Sequence, residues 1–245
     1  MMSNSMNSQE VLRRSVEQVS KTNLTKSLVL DGLIHLWGDA GSGKTLLACS
    51  IASEVSRYSK VEWINTDSKQ SFIPYLKRSI ESVGGSIQNV SVTMANDRTE
   101  VRNLILGLSR SFPAGVSLIV IDSITRLLDM AREDPILWGR ELFEEALPTL
   151  AGIVDEKGVK IIITSESRAM RESGNLAVHH RTIKKWADHD ILLVRNILEN
   201  STRILRVVDT PDNQEQIGIL RLMENGIPIV QAQTSRTSEP IGGHS

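Results

Sequence analysis

Eight consecutive residues constrain this chain more than any others: Gly38-Asp39-Ala40-Gly41-Ser42-Gly43-Lys44-Thr45 reads G-x-x-x-x-G-K-T. Glycine removes the Cβ atoms that keep backbone N–H groups away from an anion, so the run is suited to cradling phosphate. Its context agrees. The apolar segment Leu33-Ile34-His35-Leu36-Trp37 precedes it as a buried strand would, and Leu46, Leu47, Ile51 and Val55 recur after it at helical spacing. Strand, glycine loop and helix in that order bring the positive end of the helix to the same anion. Gly38, Asp39, Ala40, Gly41, Ser42 and Gly43, with Leu46 in the first helical turn, are the expected contacts. Lys44 is expected to reach the β/γ-phosphates and Thr45 to place its hydroxyl on Mg²⁺. The alternative is a glycine turn without a nucleotide.

A chain of 245 residues can bury a full core and suits one α/β domain better than two. Its net charge of −1 advertises no global attraction to nucleic acid, although local basic patches stay open. Cys49 is the single cysteine, so the chain can form no internal disulfide and a reducing interior suits it. No apolar run approaches the roughly 18 residues of a spanning helix, and the N-terminus lacks a basic-then-apolar leader. A cytoplasmic protein with no membrane contact is expected.

Along the chain, residues 1–24 read as a polar extension with one short helix carried by Val11, Leu12, Val16 and Val19. Residues 25–232 form the core and 233–245 a polar tail. Val61 to Asn65 reads as a second strand, followed by a helix on Phe72, Ile73, Leu76 and Ile80 that ends at Gly84-Gly85. Ile87 to Thr93 suggests a short strand, and Val101, Leu104, Ile105 and Leu108 a helical face stopped before Pro113. Val116 to Asp122 is a continuous apolar run ending in a carboxylate, the pattern of a strand buried on both faces. A long helix over Trp138 to Val154 and a strand over Val159 to Thr164 follow. Alternating strands and helices predict a mainly parallel sheet covered on both sides. From Asp190 onward Ile191–Val194, Ile204–Val208, Ile217–Leu222 and Ile227–Val230 read as an antiparallel meander extending it.

Open α/β sheets bind ligands at the carboxyl ends of their strands. Asp122 ends such a run and suits a carboxylate that holds Mg²⁺ together with Thr45; the alternative is a cap on the segment Ser123-Ile124-Thr125. Asp67 follows the second strand and can orient or deprotonate an attacking water, or be a solvated turn residue. Glu166, in Thr164-Ser165-Glu166-Ser167, stands where a side chain could sense the γ-phosphate. Beyond it come Arg168, Arg171, His179, His180, Arg181, Lys184 and Lys185, a basic run opposed only by Glu172. Clustered positive charge on a flexible segment is the footprint of a phosphate-backbone partner, or else of a solvated loop. No Phe, Tyr or Trp lies between Arg168 and Lys185 to stack on bases.

Taken in order, these motifs resemble the RecA/RadA recombinase superfamily, specifically an archaeal RadA- or RadB-like paralogue, over roughly residues 30–230. Gly38 to Thr45 resembles the family's first nucleotide motif, and Leu118 to Thr125 its second, including the hydroxyl pair after the aspartate. Asp67 falls where the family has a catalytic glutamate. Glu166 falls where it has a sensor glutamine before its second DNA-binding loop. Leu205 to Pro211 is similar to a closing hairpin whose Asp-x-Pro turn caps ATP held by a neighbouring subunit, a role that would pass to Asp209 and Pro211. The resemblance implies a RecA-like P-loop NTPase fold, ATP and Mg²⁺ as cofactors, and Mg-dependent ATPase activity with Lys44, Asp67 and Glu166 as catalytic residues. It also implies single-stranded DNA bound through Arg168, Arg171, Arg181 and Lys184, a homo-oligomer with ATP at the subunit interface, and a recombinase or other repair protein as a partner.

The chain departs from the family at several points. Asp67 is one methylene shorter than glutamate, and Glu166 is charged where an amide is usual, which predicts slow hydrolysis. A Phe-x-x-Ala linking segment and an N-terminal helix-hairpin-helix module are not recognisable, and Lys26 to Leu30 replaces a glycine run. These differences favour an accessory paralogue over a filament former. A second reading is a KaiC-like switch, in which ATP controls assembly with a protein partner and the basic run is an interaction surface. A kinase is disfavoured by the antiparallel end.

Overall fold

The computed structural model describes residues 24–66, 70–125, 135–170, 174–177 and 179–233, with backbone alone at 98, 135–142, 168–170 and 174–175. The expected N-terminal helix, residues 67–69 and the tail beyond Gln233 lie outside them.

A short helix α1 (Leu24–Ser27) leads into β1 (Leu33–Gly38), α2 (Lys44–Val55), β2 (Lys60–Asn65) and α3 (Ile73–Val83). Then come β3 (Val90–Met94), α4 (Arg98–Arg110), β4 (Val116–Asp122), α5 (Pro135–Lys157), β5 (Lys160–Met170) and β6 (Gly174–Ala177). The chain closes with α6 (His180–Lys184), β7 (His189–Asn196), β8 (Ser201–Val207), β9 (Gln214–Leu222) and β10 (Pro228–Ala232). The strands lie in the order β10-β9-β8-β7-β1-β5-β4-β2-β3, with β6 paired to the far end of β5. From β3 to β7 all pairings are parallel, and from β7 to β10 all are antiparallel. This is the α/β architecture expected from the sequence, a mainly parallel sheet flanked by helices with a C-terminal antiparallel extension.

The apolar runs became the central strands because both of their faces are covered. Alternation along a strand sends successive side chains to opposite faces. Leu36, Val120 and Ile162 therefore pack under α2 and α3, while Leu33, Ile121 and Ile163 pack under α4 and α5. α2 is buried nearly all round through Leu47, Ala48, Cys49, Ile51 and Ala52, which settles Cys49 as a small core residue. Burial pushes its thiol pKa well up. α4 begins at Asp97, whose side chain accepts from the Glu100 N–H at 2.8 Å, while Glu100 in turn accepts from the Asn96 N–H at 2.9 Å.

Three expectations need correction. The segment expected as a strand from Ile87 opens as a 3₁₀ turn over Ile87–Asn89, so β3 starts only at Val90. β5 does not stop at Thr164 but runs to Met170, because Ser167 to Met170 find hydrogen-bonding partners in β6. The basic run expected to be a flexible segment thus contains the paired end of β5, the strand β6 and then a helix. Its residues alternate too little in polarity to announce a strand.

Candidate functional site

β1 delivers the chain to the loop at the carboxyl edge of the sheet. Gly38 has φ 148°, and a Cβ there would lie 2.4 Å from the Leu193 carbonyl oxygen of β7, so a side chain would part strand from loop. Gly43, with φ 98°, turns the chain into α2; its missing Cβ would approach Leu220 to 3.0 Å and Thr202 Oγ1 to 3.5 Å. The antiparallel flank therefore buttresses the loop, and Thr202 Oγ1 donates to the Ser42 carbonyl at 2.9 Å. The buried Ser42 hydroxyl has no hydrogen-bond partner among the described residues. An unsatisfied polar atom costs free energy in isolation and suits a polar ligand.

Lys44 is only 8% exposed, and its ammonium donates to the carbonyls of Gly38 and Asp39, both at 2.9 Å. Burial lowers its pKa, while the charges of Glu166, Asp122 and Asp39 work in the opposite direction. Three carboxylates thus surround one buried cation. Thr45 Oγ1 donates to Asp122 Oδ2 at 2.8 Å, and Thr164 Oγ1 donates to Asp122 Oδ1 at 2.5 Å. The loop helix, β4 and β5 are joined at this carboxylate. A hydroxyl and a carboxylate side by side are the hard oxygen donors that suit Mg²⁺. The glycine cradle, the orphaned hydroxyl and this donor pair fit a nucleoside triphosphate with Mg²⁺. Leu46 is half-buried in the first turn of α2, against the core.

Thr66, which the sequence reading overlooked, clamps the end of β2 to that of β4. Its N–H donates to the Asp122 carbonyl at 2.9 Å, and its hydroxyl donates to the Ser123 carbonyl at 2.7 Å. Asp67, the next residue, lies outside the described residues. Glu166 pairs in register with Gly38 and is exposed, so its carboxylate stands at the loop's edge; Ser167 Oγ donates to the Asp39 carboxylate.

The remaining candidates do not gather at the loop. β7 runs parallel to β1 and β8 returns antiparallel, so Ser201 lies at the loop's edge, Arg206 shares the row of Ile191 and Leu36, and Val207 packs with Trp37. Asp209 and Pro211 follow Val207, beyond the end of β8 that leads away from Ser201 and the loop. Lys184 donates to the Asp209 carbonyl at 2.5 Å, which ties a candidate DNA residue to the candidate cap. Arg181 is exposed on α6. Arg168 is placed by its backbone opposite Leu176 of β6, and Arg171 lies outside the described residues.

His180 does not belong to the exposed basic run. It is 5% exposed, and its Nε2 lies 2.7 Å from Asp190 Oδ2. The other oxygen of Asp190 lies 2.9 Å from His35 Nδ1, and His35 Nε2 lies 2.6 Å from Ser165 Oγ. Serine, histidine and aspartate in this order form a nucleophile-activating relay in other folds. Here His35 and Ser165 are wholly buried, so no reactant reaches them and the chain of bonds is a tie within the core.

No protein-family model matches the chain, and no curated protein matches it by sequence. By fold, 371 solved chains do, so the architecture is common where the sequence is divergent. One is a structure described as the RadB recombinase, similar with a TM-score of 0.63 and 18% identity over 87% of this chain and 97% of that one. At that identity the likeness is one of fold, and the chain has the RecA-like α/β fold.

Proposed function

We propose that this protein binds ATP with Mg²⁺, hydrolyses it slowly, and assists DNA recombination and repair as a RadB-like member of the RecA superfamily. The observation that carries the nucleotide reading is the junction of Thr45, Asp122 and Thr164 directly beneath an intact phosphate loop. Bound Mg²⁺ would supply neutralisation of phosphate charge. Thr45 and Asp122 would hold it, and Lys44 would exchange its two loop carbonyls for phosphate oxygens. Asp67 is the proposed group that orients the attacking water. Glu166 brings a negative charge to the loop's edge, which opposes the approach of phosphate and supports slow turnover.

Asp209 and Pro211, at the end of β8 away from Thr202, are the proposed cap on ATP held by a second copy of the chain, in a homo-oligomer with ATP between subunits. The recombination role rests on the likeness to the RadB recombinase and on the basic residues beyond Glu166. Arg168, Arg171 and Arg181 are the proposed contacts to single-stranded DNA, with Lys184 shared with the Asp209 turn.

Two measurements test the reading. ATP affinity should be lost in Lys44→Ala; unchanged affinity in that variant would sink the site. Turnover should rise when single-stranded DNA is added, with DNA affinity that falls as salt is raised. Turnover indifferent to DNA but dependent on a protein partner would overturn the recombination role and favour a KaiC-like switch.

A further inference from the structure

We propose that Arg195 is a second phosphate-binding cation of the nucleotide site, supplied by the same chain and directed to the diphosphate that ATP and ADP share. The inference rests on the nucleotide reading above. Leu193 packs in the core beneath α2, and Arg195, two residues further along β7, leaves the same face of the sheet. Across that face Arg195 pairs in register with Thr202, and Thr202 with Leu220. Thr202 and Leu220 are the residues that buttress Ser42 and Gly43. The same row of the sheet therefore delivers Arg195 to the next stretch of the loop. Its Nη1 lies 3.7 Å from the point where a side chain on Gly41 would begin.

The guanidinium is exposed there and has no hydrogen-bond or ion-pair partner among the described residues. Five donors without an acceptor, beside a loop built to hold an anion, are available to that anion. The middle of such a loop serves the α/β-phosphates, whereas its lysine serves the β/γ-phosphates. Arg195 adjoins the middle and Lys44 occupies the second position, so the two cations divide the phosphate chain between them.

The test is equilibrium binding of ATP and of ADP, each with Mg²⁺, to the full chain and to Arg195→Ala, Arg195→Lys and Arg203→Ala. Arg203 is an exposed arginine of β8 paired with Val194, so it leaves the opposite face and controls for simple loss of charge. Loss of a charged hydrogen bond predicts that Arg195→Ala weakens ATP and ADP alike by roughly tenfold or more. Arg195→Lys should recover part of that loss, and Arg203→Ala should match the original protein. Because Arg195 is exposed, the unfolding midpoint without nucleotide should not move, and nucleotide should raise Tm less in Arg195→Ala. Equal affinities in Arg195→Ala and Arg203→Ala would overturn the assignment, as would weakening confined to ATP. If the original chain bound neither nucleotide, the nucleotide reading itself would fall and Arg195 with it.

Discussion

Thr164 and Ser165 are neighbours on β5, yet their side chains leave opposite faces of the sheet and join two different chains of hydrogen bonds. Thr164 leads to Asp122 and Thr45, at the mouth of the phosphate loop. Ser165 leads to His35, Asp190 and His180, beneath α5 and α6. Both chains are centred on a buried aspartate that receives two partners. They differ in what they leave open. On the loop side a buried serine hydroxyl lacks a partner and a lysine is folded onto its own loop, so a ligand has something to gain by entering. On the other side the Trp37 indole N–H, packed against His35 and His180, also lacks a partner among the described residues, but Ser165 and His35 have no exposure and a ligand has no way in. Residue type and spacing suggest chemistry in both places, and access confines it to one.

The largest effect expected from this contrast is on stability. Asp190→Ala would leave two buried imidazole N–H groups without their shared acceptor, and a buried donor left unsatisfied costs about 1–3 kcal/mol, counted here for each ring. Urea unfolding should show that loss, while the fraction still folded should bind ATP normally. Asp122→Asn should reverse the pattern. Its unfolding midpoint should fall less, but the Mg²⁺-dependent part of ATP affinity should fall about 10–100-fold, as for other changes at or beside metal ligands. If Asp190→Ala spared stability and abolished nucleotide binding, the roles given to the two faces would have to be exchanged.

A smaller, graded effect follows from protonation. Burial lowers the pKa of His35 and outweighs the help of Asp190, so the ring stays neutral in the fold. As pH falls through about 6.5 the unfolded chain takes up a proton that the folded chain does not. Stability should therefore decline below that pH, by at most about 1.4 kcal/mol per pH unit for one proton. At Asp190 burial acts to raise the pKa, but the hydrogen bonds from His180 and His35 prevail and hold it well below the usual carboxylate range. Its contribution is present above about pH 3.9 and is lost below that value as the folded carboxylate takes its proton. Unfolding midpoints from pH 7 to pH 3 should then show two separate declines, and His35→Gln should remove the first while leaving the second. A single decline near pH 4 would show that His35 is not held neutral.

Much of this was legible in the sequence, and what was not has a common cause. The loop, the strand that feeds it and the run from Val116 to Asp122 are local patterns, and local patterns fix strand ends. Thr164 was within reach for the same reason, as part of a polar strand end. His35 was not, because one polar residue in an apolar pentapeptide does not reveal that its partners lie 130 and 155 residues away. Thr202 and Arg195 escaped because their place over the loop depends on the register of an antiparallel flank, which spacing along the chain does not encode. The place of Asp209 and Pro211 beyond the far end of β8 likewise depends on the direction in which β8 returns.

The smallest expected effect tests whether that flank shapes the loop or merely lies beside it. Thr202→Val keeps the volume and burial of the side chain but removes the hydroxyl that donates to the Ser42 carbonyl. Losing one neutral hydrogen bond costs about 1 kcal/mol. If β8 only covers the loop, the whole cost should appear as a lower unfolding midpoint, with ATP affinity unchanged. If β8 holds the loop in its anion-binding shape, part of the cost should appear as weaker binding of ATP and ADP together. The buttress reading expects the second result, because Thr202 and Leu220 press on the residues between the cradle and α2. Combined with Arg195→Ala, the change should be less than additive, since both residues act on adjoining residues of one loop from one row of one sheet. Strict additivity would mean that Arg195 and Thr202 act independently, and the flank would then contribute a cation and a cover but not a shape.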